Sequence, residues 1–394
     1  MTASPAIAHP PSSASGGRPP RVLLLTDSDV FAGTERHILE LAEGLRALDV
    51  PVRIGCPAPS VLGERAAAAR IPTVTIQKGG LYDAPAIRTL TGLLRAGEID
   101  LIHAHNGRTG LAAAVSTWRA GLGRTVATQH FITPGRLRQG AVKRALSAVA
   151  HGWTNARIAH FVAISGAVRD AMLARGDAGP ERITVVPNGL SVPAPRPGAA
   201  ARVRAEFHLA PGTPLVVCVA RLEREKDLPT LLAALPAVAR AVPGVRCLIV
   251  GDGADRAALA QRLADLGLAE TVTLTGFRPD PLDFIAAAEV FVLPSPAEPF
   301  GLAILEAMAL GRPVVAMDGG GPREIVVEGE TGRLVAPGDP AALATALTAL
   351  LRDATLRARL GERGRARFDA FFTTGHMARA TLDLYERVGA AVAR

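Results

Sequence analysis

Short apolar runs and runs of helical period alternate along this chain in two sets, and one proline-rich stretch separates them. The first set begins with RVLLLTD at 21–27, a buried strand, followed by FAGTERHILELAEGLRAL with Ile38, Leu41, Ala42 and Leu45 at helical spacing. VRIGCP, TVTI, DLIHAH, TVATQH, FVAIS and ITVVPNG continue it as strands, with helical segments between most of them. SVPAPRPGAA and APGTP then break the pattern, and a second set opens with LVVCVARL and runs through VRCLIVGDG, VTLTGF, EVFVLPS, RPVVAMD and GRLVAPGD. Apolar strands alternating with helices mean βαβ units and a parallel sheet covered on both faces. The fold class expected is therefore α/β, with two Rossmann-like doubly wound parallel-sheet domains facing a central cleft. The boundaries expected are a disordered tail at 1–20, an N-terminal domain at 21–190, a linker at 191–213, a C-terminal domain at 214–372 and a C-terminal helix at 373–394 packing back toward the N-terminal domain. The tail is rich in Pro, Ser, Ala and Gly and lacks the basic-then-apolar order of a signal peptide.

Composition removes several classes of function. Aromatic residues make up 4% of the chain, so stacking platforms for nucleic acid are scarce and no nucleic-acid partner is expected. No apolar run approaches the roughly 18 residues that span a bilayer. Cys56, Cys218 and Cys247 are scattered, which reads as reduced core thiols, a cytoplasmic location and no metal-binding spacing. The formal charge is +8, and from Leu101 to Arg169 basic residues occur without a single Asp or Glu. Such a block calls for an anionic partner, with a membrane surface or a phosphorylated substrate ranked ahead of nucleic acid. Within it, residues 134–161 place Val142, Leu146, Val149 and Trp153 at helical spacing among Arg136, Arg138, Lys143, Arg144 and Arg157. A basic amphipathic helix of this kind can lie on an anionic membrane face as a peripheral contact; its apolar side can equally pack into the domain.

Chemistry concentrates at strand ends. In PSPAEPFGLAILEAMALGRPVV, Glu298 and Glu306 stand seven residues apart, the first in a strand-to-helix loop and the second in the helix. Between them the amides of Phe300, Gly301 and Leu302 open a helix, where unsatisfied N–H groups and partial positive charge suit a phosphate. A phosphate cradle between two hydroxyl-binding carboxylates fits a nucleotide-sugar, although a capped helix with a solvated Glu306 would read similarly. Arg221 and Lys226 follow the strand LVVCV, where a guanidinium fork and a compact ammonium suit a diphosphate. Lysine is rare here: Lys78, Lys143 and Lys226 are the three lysines among 44 basic residues. Gly251 and Gly253 make part of a dinucleotide fingerprint, without its third glycine. Gly33 marks a turn at the first strand-helix junction. His103, His105 and His130 end two neighbouring strands, and His130 is the best functional candidate among them. With no carboxylate near in sequence, structural histidines are favoured there over metal ligands.

Taken in order and spacing, Arg221 with Lys226, GDG at 251–253, GF at 276–277, Glu298 to Glu306 around FGL, GRPVVA, GGGPREIV and GETGRLV resemble the family 4 retaining glycosyltransferases. GTE after the first strand, HAH, TQH, VAIS and VVPNG resemble them too, so that the likeness covers about residues 21–390. The resemblance implies a GT-B architecture, with the acceptor held mainly by the N-terminal domain, the donor mainly by the C-terminal one, and no metal. It implies that Arg221 and Lys226 hold the donor diphosphate and that Glu306 accepts from the ribose hydroxyls. Glu298 and the amides of Phe300, Gly301 and Leu302 would hold the transferred sugar. Gly276, Phe277 and Arg278 would lie by the base, His130 near the sugar, and Gly33 near phosphate and acceptor, with Gly253 in the donor-binding set. Ala32 stands where the family's glycine pair has its first member.

The activity expected is hexosyl transfer with retention from a UDP-, GDP- or ADP-linked sugar to a glycan, glycolipid or lipid-linked acceptor, as in cell-surface polysaccharide synthesis, without a further cofactor. Asp27-Ser28-Asp29 spells a metal-binding Asp-x-Asp but stands at the wrong end of the chain for the donor. A nucleotide-sugar epimerase and a non-catalytic nucleotide-sugar binder remain alternatives. A dehydrogenase would need a fuller glycine fingerprint than DSDVFAGTE supplies.

Overall fold

A computed structural model describes residues 18–77, 84–121, 124–132 and 141–392, apart from the side chains of 141–148 and 390–392. The chain divides into two units, one holding the described residues up to 191 together with those from 373 onward, the other Val192–Phe372.

The first unit has a seven-stranded sheet: β1 (Val22–Leu25), β2 (Val52–Cys56), β3 (Thr73–Thr75), β4 (Leu101–Ala104), β5 (Thr125–Gln129), β6 (His160–Ala163) and β7 (Ile183–Val185). Every pairing is parallel and the spatial order is β3-β2-β1-β4-β5-β6-β7. The central strands are buried along their length because helices cover both faces: β1 and β4 have no exposed residue, and His103 is the one polar side chain between them. The helix Thr374–Val392 belongs to this unit and lies along the Gly33–Arg46 helix. Gly44 makes that contact possible, since a Cβ there would meet the Ala378 side chain. The buried Glu40 carboxylate fastens the join, accepting from the Ser191 amide (2.9 Å) and the Thr374 hydroxyl (2.5 Å).

The second unit has a six-stranded sheet: β8 (Leu215–Val219), β9 (Arg246–Val250), β10 (Val272–Gly276), β11 (Val290–Leu293), β12 (Val314–Met317) and β13 (Gly332–Val335). It is also parallel throughout, in the order β10-β9-β8-β11-β12-β13. Its core joins Val216, Cys218, Ile249, Val292 and Val315 of the strands to Leu231, Leu235, Leu343 and Leu347 of two covering helices.

Within the 191–213 stretch read as a linker, Ala199–Glu206 forms a helix that packs on the Pro281–Ala287 helix. Charge supplies what its weak apolar pattern hides. Arg196 and Arg202 both reach the buried Asp283 carboxylate, and Arg204 pairs with Glu289 at 2.7 Å. Residues 1–17 of the tail, Lys78 and residues 134–140 lie outside the described residues, as do the Val142, Lys143, Arg144 and Leu146 side chains.

Candidate active site

In a doubly wound sheet, ligands gather beyond the carboxyl ends of the strands where the strand order reverses. The reversal in the second unit falls between β8 and β11. Arg221 and Lys226 follow β8, and the loop carrying Glu298, Phe300 and Gly301 follows β11, so the sequence-predicted charges flank the reversal point. Lys226 Nζ donates to Glu298 Oε2 at 2.6 Å, with both side chains mostly buried (16% and 12% exposed). That pair joins two candidates 72 residues apart in sequence. Arg221 is more open, 63% exposed, and pairs with Glu225 four residues on.

Gly301 caps the helix Leu302–Ala309 with φ of 112°, a conformation that glycine adopts without strain. The leading amides of that helix have no preceding turn to donate to. Glu306, in its second turn, is buried at 4% exposure. Phe300 is buried and stacks edge-on against Phe372 at 6.2 Å. Phe277, beyond β10, is 77% exposed, an apolar face in water. Arg278 beside it is already committed: it pairs with Glu206 and Asp280 and lies over the Phe284 ring at 4.8 Å. Both pairings hold its guanidinium pKa above the ordinary value. Of these two neighbours, only Phe277 leaves its side chain open to solvent.

Three glycines that sequence reasoning quoted only as part of a resemblance turn out to shape the site. A Cβ on Gly319, Gly320 or Gly321 would collide with the Pro296 carbonyl, the Glu298 carbonyl or the Phe300 backbone respectively. The post-β12 loop thus lies directly on the post-β11 loop, and the Gly321 amide donates to the Glu298 carbonyl at 2.8 Å. Gly251 and Gly253 do the same on the other side, pressing against the carbonyls of Ala220 and Leu222 that flank Arg221. The glycines at least stand out in the sequence, although their spacing does not say what they press against. Ser295, buried with its hydroxyl unpartnered among the described residues, had no such signal.

In the first unit the order reverses between β1 and β4. Gly33 begins the helix that follows β1, and the Ala32 amide ahead of it donates to the Glu35 carboxylate at 3.0 Å. His130 follows β5 and is buried, with Nε2 3.2 Å from Nδ1 of His105. Burial, followed by the neighbouring His37 and His103, drives its pKa well below the ordinary range, so the ring is neutral at pH 7. His103 is satisfied at both nitrogens, by the Tyr385 hydroxyl (2.6 Å) and the Thr128 hydroxyl (2.7 Å). His37, which sequence reasoning passed over, joins this group with its ring centroid 4.9 Å from that of His130. Asp27, the first residue of the Asp-x-Asp spelling, is engaged by Asn106 at 2.6 Å and Arg108 at 3.2 Å.

Comparison with known proteins identifies the family and the fold. The model of Glycosyltransferase Family 4 matches residues 31–192, and that of Glycosyl transferases group 1 matches residues 201–367. An alpha-maltose-1-phosphate synthase of Mycolicibacterium smegmatis is 30% identical over 398 residues, covering 94% of this chain and 100% of that protein. A phosphatidyl-myo-inositol mannosyltransferase of Mycobacterium leprae is 33% identical over 346 residues, covering 84% and 87%. A D-inositol 3-phosphate glycosyltransferase of Nocardia farcinica is 34% identical over 301 residues, covering 73% of this chain and 66% of that one. Among solved structures, Anabaena Alr3699/HepE in complex with UDP and glucose superposes with a TM-score of 0.79 at 24% identity, covering 93% and 99%. The chain belongs to glycosyltransferase family 4 and is a glycosyltransferase of the GT-B fold.

Proposed function

We propose that this enzyme moves a hexose, with retention and without a metal, from a UDP-, GDP- or ADP-linked donor to a glycan, glycolipid or lipid-linked acceptor. The observation that carries the reading is the Lys226–Glu298 pair, placed at the reversal point beside a helix N-terminus and a buried Glu306. A mostly buried ammonium and carboxylate hold each other at 2.6 Å, and each is the partner a donor would supply in turn. When a sugar diphosphate enters, Lys226 and Arg221 take the phosphates and Glu298 takes sugar hydroxyls, while the helix amides face the same negative charge. Glu306 accepts from the ribose.

Transfer passes through an oxocarbenium-like state with a departing diphosphate, and preorganised positive charge stabilises that leaving group. Glu298 is occupied with hydroxyls, so the two-carboxylate scheme of retaining glycosidases does not apply. The acceptor attacks on the face the diphosphate leaves, and the leaving phosphate oxygen takes its proton. His130, neutral through burial, contributes a hydrogen bond to the sugar rather than a proton.

The relative named a phosphatidyl-myo-inositol mannosyltransferase supports a lipid-linked acceptor, and the described end of the basic segment fits one. Val149 is 73% exposed, Trp118 is 63% exposed against Trp153 at 6.2 Å, and Arg157 stacks on Trp153 at 3.8 Å. Indole and guanidinium together suit a membrane interface. No helix among the described residues is long and apolar enough to cross a membrane. We expect salt-sensitive flotation with anionic liposomes only.

The deciding experiment is a thermal-shift screen of UDP-, GDP- and ADP-sugars, followed by nucleotide release with and without acceptor. One donor should stabilise by about 2.7 kcal/mol at a hundredfold excess over Kd. Release that depends on acceptor supports transfer; release or epimerisation without one, or stable binding without turnover, overturns it.

A further inference from the structure

The reversal point of the first unit carries a histidine cluster in which glycosyl transfer gives a role to His130 alone. His37 comes from the helix after β1, His105 follows β4 and His130 follows β5, and none is more than 6% exposed. One ring nitrogen from each lies within 4.8 Å of the other two. Their hydrogen bonding is incomplete. His37 Nδ1 is 2.8 Å from the Asn188 amide oxygen and donates to it, which leaves the lone pair on Nε2. That Nε2, and Nε2 of His105, are buried with no partner among the described residues. A polar atom so placed costs about 1–3 kcal/mol unless something answers it.

We propose that His37, His105 and His130 form a binding site for a divalent transition-metal ion of the zinc, nickel or copper class. Neutral imidazoles suit those ions, and the set contains no carboxylate to favour magnesium, manganese or calcium. Asn188 orients His37 from behind, as the outer partners of metal-bound histidines do. Zinc–nitrogen bonds of about 2.0–2.1 Å set tetrahedral ligand atoms roughly 3.4 Å apart. Shifts of about 1 Å bring nitrogens now within 4.8 Å to that spacing. Burial keeps the rings neutral, so the ion need not displace a proton from them: His37 is held down to about 4. His130 gives up its contact with His105 to ligate. An occupied site therefore withdraws His130 from the sugar, and added metal inhibits transfer. That consequence, unlike the site itself, rests on the function proposed above.

The test uses tag-free full-length protein, stripped with chelator and dialysed against zinc chloride, with bound metal counted by mass spectrometry. About one zinc per chain is expected, lost in His37→Ala and His105→Ala and kept in His208→Ala and His376→Ala. Cobalt in place of zinc should give visible d–d bands without thiolate charge transfer. Asn188→Ala, which leaves all three ligands in place, should weaken zinc binding about 10–100-fold and covers the case where a histidine variant fails to fold. No zinc above background in wild type, retention in folded His37→Ala, full affinity in Asn188→Ala, or a thiolate band each overturns the site. Zinc bound through these histidines by a chain that transfers no sugar keeps the site and sinks the transferase reading; the reverse result does the opposite.

Discussion

Lys226 and Glu298 offer a way to separate what holds the second unit together from what it does. Removing the ammonium while keeping an apolar stem, as in Lys226→Met, leaves a carboxylate only 12% exposed without its cation. Breaking one partner of a fully buried pair costs about 3–5 kcal/mol, and exposed pairs contribute about 0–1. With 16% and 12% exposure this pair stands nearer the buried limit, and partial solvent screening brings the expected cost to about 1–3 kcal/mol. Glu298→Gln should cost less, because an amide can still accept from Lys226. The double variant removes both charges, so it should recover most of the Lys226→Met loss, a coupling of about 1–2 kcal/mol. Turnover should behave differently. Losing one preorganised charge at the leaving diphosphate costs roughly 3 kcal/mol, about a hundredfold, and adding Glu298→Gln cannot restore it. Urea unfolding followed by circular dichroism, beside nucleotide release under saturating donor, measures both. Activity that recovers with stability in the double variant would show that Lys226 only supports the loop and would remove it from the chemistry.

Four further outcomes follow from the same geometry. Arg221→Ala should lower turnover about a hundredfold with little change in stability, since its 63% exposed pairing with Glu225 contributes little; unchanged kinetics would take Arg221 out of the phosphate site. Gly320→Ala puts a Cβ into the Glu298 carbonyl at a φ of +64°. It should cost upwards of about 1 kcal/mol and weaken donor binding, so a variant with wild-type Kd and midpoint would refute the loop contact. Transfer should survive EDTA, and loss restored by Mn²⁺ or Mg²⁺ would end the metal-free mechanism. In chelator, the first unit should weaken as pH falls from 6.5 toward 4, because burial holds His37 to about 4 and His103 to about 3 while their unfolded rings protonate near 6.5. At pH 5 each costs about 2 kcal/mol. Trp118 and Trp153, the two tryptophans of the chain, both lie in that unit and report it by fluorescence. A urea midpoint that does not move between pH 7 and 5 would contradict the burial argument.

Much of the fold was legible because burial on both faces leaves a strong mark. Strands such as Val22–Leu25 and Val290–Leu293 are apolar from end to end, and the turns after them hold charges and, after Leu293, Gly301. The Ala199–Glu206 helix was not legible. Arg196, Arg202 and Arg204 tie it to Asp283 and Glu289 some eighty residues away, and no local period records that. Arg278, placed beside the base only by the family resemblance, is tied to Glu206 and Asp280, and no local pattern records those pairings. His37 was missed because it falls within an ordinary amphipathic helix, whereas His105 and His130 announce themselves at strand ends.

The glycines show what kind of information sequence withholds. Gly319, Gly320 and Gly321 look like a flexible link after β12, yet each is placed where a side chain would strike the backbone from Pro296 to Phe300. Their absence of side chains is a packing requirement, and it fixes the loop that presents Glu298 to Lys226. Gly251 and Gly253 make the same kind of contact with the residues beside Arg221. The two cations and the carboxylate are therefore positioned by glycine-lined contacts between neighbouring strand-end loops, one pair of loops on each side of the β8/β11 reversal. A rigid frame of this sort suits a site whose charges must stay in place while a diphosphate departs, since groups already oriented need no reorganisation at that moment.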